Sequence, residues 1–287
     1  MSNNSNRRRL NQKAKNYDVH SFLQQEIATR LEARLDYIRI SPQTILDLGA
    51  ATGFTSQLLT QRYPKAQIIA CDEAENLLRQ QKPNRRWFSF KKSTSQSLLC
   101  SEGLRLSLAD NSVDLVFSSL FLPWYSSSEP FFEEVFRILK PGGLLLFSSF
   151  GPDTFKELKK VTTEILTEMP INTFKDMHDV GDILLRNRFV DPVMDMEMLT
   201  LDYENFTKMM ADLRFQNVLS ASSIISRQVY QQCRERYRTL AKENYLPLSY
   251  EIIYGHAWMS MNKEKTNANQ EFLISLDQIV KKSLSSR

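Results

Sequence analysis

Ile45-Leu46-Asp47-Leu48-Gly49-Ala50-Ala51-Thr52-Gly53 is the stretch on which the architecture of this 287-residue chain turns. Its first four residues read as a buried strand, bounded by a run of small residues. The small residues lead into Phe54–Arg62, which reads as a helix. A strand, a loop without bulky side chains and a helix start together let a ligand approach bare backbone, beside the free N–H groups of the first helical turn. Two common nucleotide loops do not fit. A dinucleotide loop requires glycines at 49, 51 and 54, where the chain has Gly49, Ala51 and Phe54. A phosphate loop ends in Gly-Lys-Ser/Thr, and Gly53-Phe54-Thr55 lacks the lysine. A tight strand-to-helix turn with no ligand is the bland alternative.

Outward from this stretch, short β-like runs alternate with helical ones. Ala66–Cys71 reads as a second strand, Glu75–Gln81 as a helix, Val113–Ser118 as a further strand and Pro130–Leu139 as a helix. Pro141-Gly142-Gly143 reads as a turn into the strand Leu144–Phe150. Strand alternating with helix implies crossover connections and a largely parallel, doubly wound sheet. Beyond Phe150 the pattern changes. Helices are expected over Thr154–Glu168, Met177–Asn187, Glu204–Asp212 and Ser226–Asn244, with strands over Val193–Tyr203 and Leu248–Met259, the last as an antiparallel edge. Upstream, apolar residues Phe22, Leu23, Ile27, Leu31, Leu35 and Ile38 mark a helix over Ser21–Ile38. The expected organisation is therefore a basic arm and cap helix at 1–40, one α/β domain at 41–259 with inserted helical lid segments near 152–180 and 204–244, and a polar tail at 260–287.

Composition bounds the function. The chain is 42% hydrophobic and 24% charged, with no apolar run of the ~20 residues that a membrane helix needs. Cys71, Cys100 and Cys233 are odd in number and form no CxxC, so neither a disulfide framework nor a metal site is expected, and a reducing, cytoplasmic setting is. The net charge is +4, yet Arg7, Arg8, Arg9, Lys13 and Lys15 lie in an acid-free start, leaving −1 for the remainder. That start reads as a solvated basic arm. A mitochondrial transit segment is the competing reading, weakened by the helix that follows at once. A slightly acidic body argues against a nucleic-acid groove.

Asp47 followed by small residues two, four and six positions later fits a loop for S-adenosylmethionine, with Ala51 departing from the usual glycine. Asp72, ending the second strand, is placed to accept hydrogen bonds from both ribose hydroxyls, unless it merely caps the next helix. Glu102 is the candidate for the adenine amine, and Ser119 is placed with the cofactor set. With these residues the chain resembles the class I S-adenosylmethionine-dependent methyltransferases over roughly residues 40–150, supported by Asp110–Val116 and Leu139–Gly143. Ser118–Tyr125 lacks the Asn/Asp-Pro-Pro-Tyr of nitrogen methyltransferases, which disfavours base and amide methylation. Trp124 is either a pocket wall or a core aromatic.

A narrower resemblance covers almost the whole chain. Arg8–Asp18, Leu23–Glu26, Phe150–Leu158, Phe174–Asp182, Asp191–Glu197 and Tyr245–Glu251 resemble the malonyl-acyl carrier protein O-methyltransferases of biotin synthesis. They are also similar to a mitochondrial complex I assembly hydroxylase. Ala51, the long Lys82–Ser97 segment and Pro123, where glutamine is common, depart from the biotin pattern. The resemblance implies a Rossmann-like, seven-stranded, mostly parallel sheet and methyl transfer to the free carboxylate of malonyl-acyl carrier protein. An ionised carboxylate needs no general base. This agrees with a sequence whose histidines are His20, His178 and His256 and which has no Ser-His-Asp or Cys-His arrangement. Tyr17, Phe174 and His178 are expected around the acceptor pocket, and Arg214 is expected to orient the carboxylate. Arg137 is expected to pair with Glu133 or Glu134. The acidic carrier with its phosphopantetheine arm would meet Arg7–Arg9, Arg85–Arg86, Lys91–Lys92 or Arg234/Arg236/Arg238. The alternatives are a protein hydroxylase or assembly factor on the same fold, and a non-catalytic cofactor-binding module.

Overall fold

In the computed structural model, which describes residues 3–81, 96–125, 128–166, 173–216 and 226–261, the 45–48 part of that stretch lies in an inner strand of the sheet and 49–53 is the loop that follows it. The chain begins with three helices, α1 (Asn3–Lys13), α2 (Tyr17–His20) and α3 (Phe22–Ala33). Then come β1 (Thr44–Leu48), α4 (Phe54–Arg62), β2 (Gln67–Asp72), α5 (Glu75–Leu78), β3 (Gln96–Cys100), β4 (Val113–Ser119), α6 (Glu129–Ile138) and β5 (Leu139–Phe150). The second half adds α7 (Lys156–Thr163), α8 (Met177–Arg186), β6 (Phe189–Tyr203), α9 (Phe206–Phe215), α10 (Arg227–Arg238) and β7 (Leu246–Met259). The seven strands lie in the order β3-β2-β1-β4-β5-β7-β6. Pairs from β3 through β5 are parallel, and β7 runs antiparallel to both neighbours.

The apolar runs have a simple cause. Strands covered by helices on both faces need hydrophobic side chains on both faces. Ile45, Leu115, Leu144 and Leu146 face a core shared with α3, α4, α7, α9 and α10. Leu46, Leu48, Val116, Leu145 and Phe147 face the opposite core, with α6 and α8.

Two details differ from the sequence reading. The antiparallel strand β7 is not at the edge but one place in from it, and β6 takes the edge. Burial agrees: β7 is buried over nearly its whole length, while β6 alternates between half-buried and exposed residues. The Pro141–Gly143 turn is an irregularity inside a longer strand. The register with β4 jumps from Val113↔Leu139 to Leu115↔Leu144, and Gly142 takes φ +75°.

Several residues behind the narrower resemblance form a latch between α7 and β7. The Glu251 carboxylate accepts from Asp153 N (2.6 Å), and the Thr154 hydroxyl donates to Glu251 O (3.0 Å). Glu157 accepts from both Ser249 N (2.9 Å) and Ser249 Oγ (2.6 Å). Arg137 pairs with Glu134 (2.7 Å) rather than Glu133, and also reaches Asp110 (2.7 Å) and the carbonyls of Leu106 and Leu108.

Candidate active site

A cleft of about 1190 Å³, its open mouth included, lies at the carboxyl ends of β1, β2, β4 and β5. This is where the strand order turns between β1 and β4, the usual place for a ligand in an open parallel sheet.

The floor is the 49–53 loop. Gly49, Ala51 and Gly53 take φ of +88°, +44° and +94°, so the loop is a run of left-handed turns with little side chain. Ala51 thus carries a methyl group in a conformation that costs L-residues about 1–2 kcal/mol, which is why glycine is the usual residue there. At Gly49 a Cβ would also lie 2.8 Å from Phe121 Cδ2. The loop is tied down from beneath and beside. Gly49 N and Ala50 N donate to Cys71 O, at 2.8 and 3.0 Å. Gln81 Nε2 donates to Ala51 O (3.0 Å), and Thr52 Oγ1 to Asp18 Oδ1 (2.5 Å).

Two buried carboxylates brace this floor. Asp47 does not line the cleft; it accepts from Thr55 Oγ1 (2.6 Å) and Ser56 Oγ (2.5 Å) at the start of α4. Asp72 does line it, accepting from Ala51 N (3.0 Å) through one oxygen and Ala74 N (2.8 Å) through the other. Burial pushes both carboxyls up to about 6, against the pull of these hydrogen bonds. Asp72 therefore binds the loop to β2 and also faces the cleft, with lone pairs left for a ligand. Glu73 lines the wall beside it, engaged by the Tyr125 hydroxyl.

The walls come from further away. Ser119 ends β4 and Leu120 and Phe121 follow it, and Leu120 takes φ +52° with its N–H on Ser148. Tyr17, His20, Ser21, Gln24 and Gln25 come from the N-terminal helices. Phe215 and Gln216 come from the end of α9. The cap and α9 close on one another. Lys13 Nζ donates to Arg214 O (2.6 Å) and stands 5.3 Å from the Phe215 ring centre. The His20 ring lies 4.3 Å from that of Phe215, with Nδ1 3.4 Å from Asp212.

Of the residues singled out from sequence, Gly49, Ala51, Asp72, Ser119 and Tyr17 line the cleft, whereas Asp47 and Gly53 support it from outside. Burial and the neighbouring Asp72 and Asp18 charges raise the Tyr17 phenol far above its ordinary value, so it stays protonated. Glu102 lies half-exposed outside the lining, 3.5 Å from Arg7, which does reach the cleft. Phe174 stands behind the cleft residue Phe150, with ring centres 5.3 Å apart. His178 belongs to the other face of the sheet: α8 packs there through Val180, Ile183 and Leu184, and the ring is 80% exposed beside its own cap, Asp176. Arg214 is exposed, its guanidinium 5.8 Å from the Tyr230 ring centre. Neither His178 nor Arg214 is among the lining residues. Sequence reading passed over Glu73, Gln24, His20, Phe215 and Gln216. For Gln24 the signal was a polar residue within the apolar helical pattern of Ser21–Ile38. The side chain of Trp124 and the Arg85–Arg86 and Lys91–Lys92 clusters lie outside the described residues.

Among the described residues no helix is long and apolar enough to cross a membrane, and no group of three or more metal-ligating side chains converges.

Residues 46–147 match the model of the family described as "Methyltransferase domain". A malonyl-[acyl-carrier protein] O-methyltransferase of Methylovorus sp. is 38% identical over 261 residues, covering 88% of this chain and 87% of the relative. The enzyme of that name from Gallionella capsiferriformans is 36% identical over 258 residues, covering 88% and 89%. In fold, a putative methyltransferase from Bacillus halodurans superposes with a TM-score of 0.58 at 14% identity, covering 81% of this chain and 98% of that one.

Proposed function

The chain belongs to the malonyl-[acyl-carrier protein] O-methyltransferase family, and from that membership we propose that it transfers a methyl group from S-adenosylmethionine to the free carboxylate of malonyl-acyl carrier protein. The observation that carries this reading is the span of the kinship. It runs over 88% of the chain, well beyond the 46–147 methyltransferase core. The reading extends to the methyl ester that begins pimeloyl synthesis for biotin, to an acidic carrier protein as partner, and to a cytoplasmic enzyme.

The cleft fits the cofactor. A backbone floor at Gly49–Ala51 leaves room for a ligand's chain, and Asp72 at the end of β2 offers acceptors for two ribose hydroxyls. Ser119 and Phe121 line the cleft as well, Phe121 beside Gly49. When bound, the cofactor supplies an electrophilic methyl group on a positively charged sulfur. The chain's own task is alignment and the exclusion of water, which Tyr17, Leu120, Phe150 and Phe215 serve. No lining residue is needed as a base, because a malonyl carboxylate is ionised at neutral pH.

The test is transfer of labelled methyl by the purified chain. Malonyl-carrier protein should be methylated, and acetyl-carrier protein, which offers no oxygen nucleophile, should not. The rate with the malonyl substrate should stay nearly flat from about pH 6 to about pH 9. Transfer to arginine-containing protein with none to malonyl thioester would overturn the reading.

A further inference from the structure

Two glutamines that line the cleft each carry a buried amide oxygen without a hydrogen-bond partner. Gln216, just past α9, is 6% exposed, and its Oε1 is buried without a hydrogen-bond partner. Gln24, on α3, likewise has a buried Oε1 without a partner. Both line the cleft, Gln24 from α3 and Gln216 from the residue after α9. Buried polar atoms are ordinarily satisfied, and each exception needs an explanation. Two such atoms on residues that line one cleft point to a ligand there. Tyr250, whose hydroxyl lies beside Gln216 and Tyr203, backs the Gln216 side chain from the core.

We propose that Gln24 and Gln216 hold the acceptor's carboxylate in place for methyl transfer. The assignment rests on the function proposed above. A half-turn of a side-chain amide exchanges Oε1 for Nε2, so each glutamine presents an N–H pair to an anionic oxygen while keeping its place in the wall. Among the described lining residues Arg7 is the only arginine or lysine, and it sits at the mouth against Glu102. The deep part of the cleft thus offers a carboxylate neutral donors. This suits the reaction. A guanidinium clamp would draw charge from the attacking oxygen, whereas amide N–H groups orient it and leave its charge free to meet the sulfonium. The ester product is uncharged and makes weaker hydrogen bonds, which favours its release.

Gln24→Met and Gln216→Met keep side-chain length and remove the donors. Cofactor affinity by calorimetry should stay within about twofold of the parent. The KM for malonyl thioester should rise roughly tenfold in each variant, the scale of one lost hydrogen bond to a charged group. Gln216→Glu keeps the shape but places a second negative charge beside the substrate. It should be slower than Gln216→Met near neutral pH and recover as the pH is lowered, a response that a purely structural role would not give. Unchanged KM in both methionine variants, with cofactor binding intact, would overturn the assignment. If Gln216→Met fails to fold, the KM of Gln24→Met and the pH recovery of Gln216→Glu decide it. A parent enzyme that never methylates malonyl thioester removes the proposed function instead, so the two failures are distinct.

Discussion

Where Asp72 meets Ala51, the cleft wall comes from two adjacent parallel strands, β1 and β2, locked in register from Thr44↔Gln67 to Leu48↔Cys71. Where Lys13 meets Arg214, it comes from residues 201 positions apart, on helices that touch through side chains and two carbonyls. The proposed cofactor end is therefore part of the sheet, and distorting it strains the core. The proposed acceptor end is a junction of the N-terminal helices with α9. In the proposed function it is the side that a bulky carrier-bound substrate must enter, so it is expected to loosen while the core persists.

The strongest blow to the cofactor end is Gly49→Val. It forces a β-branched residue to φ +88° and drives its Cβ into Phe121. Strain and overpacking together should cost about 2–5 kcal/mol, seen as a large fall in melting temperature and loss of cofactor binding. Retention of both would show that the loop is as adaptable as the acceptor end.

Asp72→Ala comes next, removing the acceptor for Ala51 N and Ala74 N together with any ribose contact. Cofactor affinity should weaken by about 1–3 kcal/mol in calorimetry. The same carboxyl gives a pH test. Its folded value, like that of Asp47, is raised from 3.8 to about 6 by burial. Between those values the native state holds more protons than the unfolded chain. These two groups thus stabilise the fold at low pH, and their contribution is lost as pH rises from 3.8 through about 6. Cofactor affinity should move the opposite way, falling below about pH 6 as Asp72 takes a proton and loses acceptor capacity. Asp72→Asn should flatten its share of both trends, as chemical denaturation and calorimetry across pH would report.

This contrast also explains what the sequence could disclose. That Asp47, Gly49 and Asp72 gather around one loop could be read because their geometry is local: a strand end, a loop and the next strand end, within 26 residues. Ala51 could be recognised as a departure, and its left-handed φ gives the reason. Gln216 and Phe215 were not legible, because nothing near them in sequence says which helix end will meet the cap. His178 was misplaced for a related reason. It lies in a segment matched by the narrower resemblance, but that segment starts a helix on the far face of the sheet. The Asp153–Glu157 and Ser249–Glu251 residues carried the resemblance equally well, and they act as a latch rather than as site residues. The position of β7 depended on β6 taking the edge, a choice of strand order that alternation within one strand cannot encode.

At the acceptor end, Phe215→Ala should have an effect on the order of 1 kcal/mol. It removes the ring that Lys13 and His20 rest on but leaves the backbone intact. The expected result is a higher KM for malonyl-carrier protein with cofactor affinity and melting temperature nearly unchanged. A fall in melting temperature as large as that of Gly49→Val would mean that cap and lid form one body with the core.

The smallest effect is expected at the exposed charges of α1, the proposed first contact for the carrier. Arg7, Arg8 and Arg9 lie on α1, with Arg7 reaching the cleft mouth and Arg8 exposed. On α10, by contrast, Arg236 is already engaged by Glu164 at 2.8 Å, and no residue of that helix lines the cleft. An acidic partner approaching the mouth therefore meets the α1 cluster before the α10 cluster. Exposed charges act mainly on encounter and are screened beyond about 8–10 Å at ordinary salt, so each is worth well under about 1 kcal/mol. Reversing Arg8 and Arg9 should raise the KM for malonyl-carrier protein a few-fold at low ionic strength. The difference should vanish in high salt, and cofactor affinity should not change. Reversing Arg234 and Arg238 should do less. Equal effects of the two reversals would separate carrier docking from the cleft mouth. No effect of either at low salt would mean that the carrier is held by its pantetheine arm, inside the cleft where the α9 junction closes.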